Sequence, residues 1–293
     1  MPRSFNREPK TNKPPEPTLD YPGMMEALLN VEGSMSDTYR RMTNYSMGNC
    51  ALFMYQGIEP QPVATYKGWE SVGRQVAKGA KARWVLRPIT VKSRYETNAD
   101  GTPKEITRFK LVRAIFPIAD TIGDPLPKTE LPHWSQDQAD SELKVRRVPF
   151  EGFDSNMQGY SIGQDYAINP VAKWPEKTHK HELAHIVLGH TALDALGVEP
   201  PHKGVREFQA EGTAHFVMTE LELQDRFDPA ESRAYIQNWL SGDKPTDEQV
   251  RAVFSATDKI LKAGYVKDET EAAIDALRRA GMLLPIEEPP LIA

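Results

Sequence analysis

His181-Glu182-Leu183-Ala184-His185 is the stretch of this 293-residue chain with the most definite chemistry. Residues four apart on a helix lie side by side on one face, separated by about 6 Å of rise. His181 and His185 can therefore offer two nitrogens to one metal ion. Glu182 falls beside the pair, where it can take a proton from metal-bound water instead of ligating. Leu183, Ala184, Ile186, Val187 and Leu188 make the rest of this helix apolar, so its histidines are expected to be buried, and buried polar groups need partners. A metal ion is the simplest partner.

A catalytic zinc takes three protein ligands and leaves its fourth position to water. Residues 206–218 read as a second helix, on which Glu207, Glu211 and His215 follow at successive i, i+4 steps as one stripe of three potential ligands. Glu211 is the expected ligand. Ala210, Gly212 and Ala214 surround it with small residues that suit close packing against the first helix, and a carboxylate desolvated at such a contact needs a counter-charge. The bland alternative for Glu207 and Glu211 is that of solvated helix charges. In the expected mechanism His181, His185 and Glu211 hold Zn²⁺, Glu182 takes the proton of its water, and the hydroxide attacks a peptide carbonyl. His190, five residues past His185 and about 140° further round the helix, is expected to be a supporting or core group and not a ligand. His215 is placed to orient a ligand or an oxyanion.

The elements that must position these residues occupy the second half of the chain. Short strands are expected at 144–150, 159–162 and 166–168, the last two joined at Gly163-Gln164, with Pro175 opening the first histidine helix. After the second helix, 230–240 and 246–262 read as amphipathic helices, the latter with Thr246 as N-cap and Gln249 completing a capping box. Residues 269–280 read as another helix.

The first half has a different character. Residues 1–120 carry 18 Lys plus Arg against 12 Asp plus Glu, a net charge of +6, while the remainder carries 18 against 29, a net of −11. A basic half suits a polyanion, and an acidic half suits neither nucleic acid nor an anionic membrane. Lys67, Arg74, Lys78, Lys81, Arg83, Arg87, Lys92 and Arg94 fall close together with Glu70 as the one interrupting acid, beside Tyr45, Tyr66, Trp69 and Trp84. Cations for the backbone and aromatics for the bases are what single-strand binders combine. Strands expected at 84–89 and 109–118, with Asn98-Ala99-Asp100-Gly101 as the turn signal, would make a basic hairpin. Arg40, Arg41 and Tyr45 lie on a helix expected over 36–55. The run Asn44-Tyr45-Ser46-Met47-Gly48-Asn49 suits stacking a base and bonding its edges, and equally suits a core tyrosine beside a capped helix turn. The DNA contacts expected from this half are Arg40, Arg41, Tyr45, Asn49, Lys67, Trp69, Arg74, Lys78, Lys81 and Arg83.

Two motif sets carry a family resemblance. The run from His181 to His190, followed by Gln209-Ala210-Glu211-Gly212-Thr213-Ala214-His215-Phe216, resembles the zincin-type metallopeptidase domain of the antirestriction protein ArdC family. Tyr45-Ser46-Met47-Gly48-Asn49 and the run from Gly68 to Lys81 resemble the single-stranded-DNA-binding domain of the same family. The similarity spans roughly residues 21–240. It implies a protein of a plasmid or phage that protects incoming DNA from host restriction.

The expectation is a two-domain α+β protein, an N-terminal helical domain with a basic β-hairpin and a C-terminal zincin-like metallopeptidase domain. The expected boundaries are a disordered Pro-rich arm at 1–20, the DNA-binding domain at 21–125, a linker at 126–140, the metallopeptidase domain at 141–285 and a tail at 286–293. The chain has no run approaching eighteen apolar residues, and its first residues lack the apolar core of a secretion signal, so the expected location is the cytoplasm and no membrane is expected as a partner. Cys50 is its single cysteine, which excludes an internal disulfide framework; Ala51, Leu52 and Phe53 beside it point to a core thiol. The competing function is a regulatory zinc metallopeptidase that cleaves a repressor or defence protein, with the DNA-binding domain serving only to localise it.

Overall fold

A computed structural model describes residues 18–30, 45–126, 133–151, 156–192, 203–239 and 243–266. The expected arm up to residue 17, Arg40 and Arg41, residues 127–132 of the expected linker, the helix at 269–280 and the tail at 286–293 lie outside the described residues.

The chain mixes helices and sheets. Helix α1 (Tyr21–Leu29) starts where the Asp20 carboxylate accepts a bond from the Gly23 amide, and α2 (Met47–Tyr55) where Ser46 does the same for Asn49. Strand β1 (Val63–Thr65), the short helix α3 (Tyr66–Ser71), and β2 (Gln75–Val76) lead to the long hairpin of β3 (Arg83–Thr97) and β4 (Pro103–Pro117). The first sheet has the order β1-β4-β3, and β5 (Thr121–Ile122) pairs with β2. The hairpin turns at the expected Asn98-Ala99-Asp100-Gly101, where Asp100 Oδ1 takes the Thr102 amide at 2.9 Å.

These strands are longer than their apolar stretches. Beyond Leu86 and Leu111 the ribbon carries exposed residues on both faces, with β1 reaching only as far as residues 115–117 of β4. Its distal part is held by the ladder and the turn, without a core, which is why the hydrophobic pattern stopped short of its ends.

Helix α4 (Gln136–Leu143) and strands β6 (Arg146–Arg147), β7 (Gly159–Ile162) and β8 (Asp165–Ile168) follow. They form a second sheet of order β6-β8-β7, in which β6 runs parallel and β7 antiparallel to β8. Helices α5 (Pro175–Val187), α6 (Lys203–Glu220), α7 (Pro229–Trp239) and α8 (Asp247–Gly264) complete the described chain. Helix α8 opens with the expected capping box of Thr246 and Gln249. No helix among the described residues is long and apolar enough to cross a membrane.

The two halves share one hydrophobic cluster. It runs from Met24, Met25 and Phe53 of the first two helices to Leu183, Phe208, Phe216, Val250 and Phe254 of α5, α6 and α8. Polar contacts cross at the same place: the Met47 amide donates to Asp258 Oδ1 at 2.9 Å, and the Arg251 guanidinium lies 5.4 Å above the Tyr21 ring. The expected linker also differs, because residues 133–140 contain most of α4 and pair with the end of α8, the Ser135 amide donating to Gly264 O at 2.8 Å. Buried Cys50 sits in this core as expected, its thiol pKa pushed well up by burial.

Candidate functional site

Helices α5 and α6 lie against each other and bring three donors to one point. His181 Nε2 and His185 Nε2 are 3.2 Å apart, and Glu207 Oε2 is 3.4 Å from the first and 3.8 Å from the second. All three lie within 4.8 Å of one another, a spacing that one metal ion can bridge. The i, i+4 spacing brings the histidines together, as the sequence led one to expect. The carboxylate does not follow that expectation.

Glu211, the expected third ligand, turns to the other side of the His181 ring. Its Oε2 lies 3.2 Å from His181 Nδ1, while its Oε1 accepts from Ser232 Oγ at 2.6 Å and meets Lys177 Nζ at 2.6 Å. The side chain is buried, and the cation of Lys177 and the hydroxyl of Ser232 compensate that burial. The offset of α6 against α5 decides which of the two stripe carboxylates reaches the Nε2 atoms, and it is the one a turn earlier, Glu207. Sequence spacing puts both on the stripe but carries no information on that offset.

The second histidine is oriented by His190. Helix α5 ends in a Schellman turn: Gly189 has φ of 77°, its amide donates to Ile186 O at 3.0 Å, and the His190 amide donates to His185 O at 2.9 Å. This turn folds His190 back, so that its Nδ1 lies 3.0 Å from His185 Nδ1 and its Nε2 lies 3.1 Å from Gln209 Oε1. Gln209 spends its NH₂ on Gln249 O at 3.4 Å, so its oxygen faces His190 and requires an N–H at His190 Nε2. His190 Nδ1 is then an acceptor and His185 Nδ1 carries the proton. Likewise the Glu211 carboxylate requires the proton of His181 at Nδ1. With both rings neutral the Nε2 lone pairs face Glu207, and a metal ion entering there takes the place of the proton that the carboxylates favour on His181.

Burial disfavours charge here, and the carboxylates overcome it. Burial works to lower the pKa of His181, but Glu207 and Glu211 push it up to about 9. Burial works to raise those of Glu207 and Glu211, but His181 and its neighbours hold both well below the usual carboxylate range, Glu211 at about 2. Burial and neighbouring His185 lower His190 to about 4, consistent with its role as a neutral acceptor.

Glu182 is held from the sheet side. A Cβ at Gly159 would come within 2.8 Å of Thr178 Cγ2 and 2.9 Å of Ala167 O, so only glycine lets edge strand β7 lie so close over α5. That approach places Ser161 Oγ 2.8 Å from Glu182 Oε2. The sequence held no signal for Ser161, Lys177 or Ser232. Ser161, Lys177, Glu182, Glu207 and Tyr235 open together onto a cleft of about 900 Å³ between β7 and α7. His215, by contrast, is buried between Phe216 and Phe227, with ring centroids at 5.6 and 5.7 Å, and does not line the cleft.

In the first half, residues 29–115 match the family model for the N-terminal domain of the anti-restriction factor ArdC. Over the whole chain, the crystal structure of the metal-free antirestriction ArdC protein from plasmid R388 aligns with 90% of this chain and 99% of its own at 19% identity, with a TM-score of 0.49. The Mn(II)-bound structure of the same protein aligns with 83% and 94% at 19% identity, with a TM-score of 0.45. A comparison with curated proteins finds no match.

Within the residues that match this family model, four of the expected DNA contacts make structural bonds or lie in the core. Tyr45 is buried edge-on to Phe53, its hydroxyl donating to Val63 O at 3.4 Å. Asn49 on α2 and Gln56, the residue that caps its C-terminus, clasp the outer edge of β3. Asn49 Nδ2 donates to Leu86 O at 3.0 Å and Oδ1 accepts from Leu86 N at 2.8 Å; Gln56 makes the same pair of bonds with Trp84, at 3.0 and 2.8 Å. Trp69 is fully buried, Nε1 donating to Phe116 O at 2.9 Å. The Arg74 guanidinium is spent on Thr121 Oγ1 at 2.9 Å and on the carbonyls of Gly123 and Asp124. Each is a polar group that the core needs satisfied, so none is available to a ligand.

Lys67, Lys78 and Lys81 are exposed, and Arg83 is half-buried beside Asp120 at 3.6 Å. The hairpin adds exposed Arg87, Lys92, Arg94, Arg108 and Lys110, with Arg87 directly opposite Lys110, a like-charge pair that costs stability unless an anion lies over it.

Proposed function

We propose that this protein is an antirestriction protein that binds single-stranded DNA through its ArdC N-terminal domain and carries a metallopeptidase-type metal centre in its C-terminal half. The observation that carries the reading is the convergence of His181, His185 and Glu207 beside Glu182, in a chain whose other half is an ArdC N-terminal domain. The two imidazoles and one carboxylate fit zinc, and Nδ1 atoms already bonded to Glu211 and His190 leave Nε2 of each ring for any divalent ion that accepts nitrogen donors. A metal bound there supplies Lewis acidity and lowers the pKa of a bound water.

The chain's own residues do the remaining work. Glu182, with Oε2 held by Ser161, keeps Oε1 to take up a proton and return it to a leaving amine. Glu211 and His190 keep the two rings in place. Edge strand β7, along the cleft, pairs only with β8 among the described residues, so its other side offers backbone groups to an extended peptide. The exposed lysines and the hairpin cations supply sequence-independent phosphate contacts. Acting on incoming DNA places the protein in the cytoplasm.

A second reading, a regulatory peptidase that the DNA-binding domain only localises, is favoured by the positioning of Glu182, which a purely structural metal would not need. Restriction protection in cells separates the two. Glu182→Gln is expected to keep metal and protection, while Lys67→Glu/Lys78→Glu/Lys81→Glu is expected to lose DNA affinity and protection with metal retained. The reverse pattern selects the regulatory peptidase.

A further inference from the structure

With Tyr45 and Trp69 in the core, the ArdC domain needs another aromatic group if it is to hold a base. An open cleft of about 590 Å³ lies between α3 and the β2–β5 pair, a volume within the range of small-ligand sites. Its walls include Tyr66, Gln75, Val76, Lys78, Phe116 and Ile122. Tyr66, the first residue of α3, lines the cleft and is 48% exposed, so its aromatic side chain is accessible there. Ile122 is 69% exposed, an apolar surface with nothing over it among the described residues.

The electrostatics of the rim have one sign. Lys78 lines the cleft, Lys67 follows Tyr66 on α3, and Lys81 follows Ala80, another lining residue. No ion pair engages these three lysines among the described residues, and no carboxylate lines the cleft. An apolar slot with an aromatic wall, an amide at Gln75 able to donate and accept, and lysines at its edge matches a nucleobase flanked by phosphates. A duplex must unstack and unpair a base to present it, so a single strand presents one to such a slot at lower cost.

We propose that this cleft seats one base of a DNA single strand, with the Tyr66 ring stacked on it and Lys78 on an adjoining phosphate. The inference rests on the single-strand-binding reading above and assigns that reading a place on the molecule. It makes binding depend on the base as well as on the backbone.

The test is fluorescence anisotropy on the full-length protein with labelled oligo(dT) of about 16 nucleotides, and with a strand of the same length whose bases are replaced by abasic sites. Tyr66→Ala is expected to weaken oligo(dT) binding roughly 5- to 150-fold, since a stacked base contributes about 1–3 kcal/mol. Tyr66→Phe, which keeps the ring, is expected to bind as wild type does. Lys78→Ala should reduce the slope of log K against log salt by about 0.7. The abasic strand should bind wild type weakly and ignore Tyr66→Ala. Oligo(dT) binding unchanged in Tyr66→Ala, or an abasic strand held as tightly as oligo(dT), overturns the cleft while leaving single-strand binding intact. Wild type that binds no single strand at low salt overturns the reading beneath it as well.

Discussion

The Glu211 carboxylate lies 3.2 Å from Nδ1 of His181, on the opposite side of the ring from the Nε2 atom that faces His185 and Glu207. In the proposed metal centre Glu211 would act through the histidine, and Glu207 is the carboxylate in position to ligate.

This division makes the two glutamates separable by chelator competition on purified protein. Glu207→Ala removes a donor and is expected to abolish tight binding, whereas Glu211→Gln keeps an acceptor at Nδ1 and should cost about 10- to 100-fold in affinity. Tight binding retained in Glu207→Ala and lost in Glu211→Gln would show that the two exchange roles when the ion enters.

Asn49 offers a test of structure against recognition. Asn49→Ala leaves the Leu86 N–H and carbonyl on the edge of β3 without their partners, a loss of about 1–3 kcal/mol for each buried group left unsatisfied. The expected outcome is a lower thermal midpoint with unchanged DNA affinity per folded molecule. Affinity lost without any change in stability would return Asn49 to the DNA surface.

Buried His215 makes stability depend on pH. Burial, the leading cause, lowers its pKa from 6.5 to about 4. Above pH 6.5 the ring is neutral folded or unfolded, so the stability is fully present. Below 6.5 the unfolded chain takes a proton that the folded chain refuses until about pH 4, and up to roughly 3 kcal/mol is lost across that window. His215→Leu should make the fall in stability between pH 6.5 and 4 shallower, with buried His179 and His190 accounting for the remainder, measured by urea unfolding. An equally steep fall in the variant would assign the acid sensitivity to other groups.

The shared core predicts the behaviour of fragments. A fragment ending at residue 126 strips α6 and α8 from α1 and α2, exposing apolar surface of Met24, Met25 and Met47 and leaving the Met47 amide without Asp258. Such a fragment is expected to melt well below the full chain or to self-associate, as followed by circular dichroism and light scattering. A monomer with the melting temperature of the whole protein would show that the halves fold independently.

How much was legible in the sequence depends on how local each relationship is. The pairing of His181 with His185, the place of Glu182 beside them, the start of α5 at Pro175, the capping box of α8 and the hairpin turn at Asn98-Ala99-Asp100-Gly101 all follow from spacing within a few residues, where backbone geometry alone fixes who meets whom. The charge contrast between the halves is likewise a property of composition. Tertiary packing decided the rest. Whether Glu207 or Glu211 reaches Nε2 depends on how far α6 slides along α5, a shift of one helical turn that no i, i+4 pattern encodes. Whether an aromatic or amide side chain contacts a ligand or the core depends on what packs over it. Tyr45, Asn49, Trp69 and Arg74 have the chemistry of DNA contacts, but each is buried under a partner distant in sequence, while Tyr66, of the same residue type as Tyr45, is left facing an open cleft.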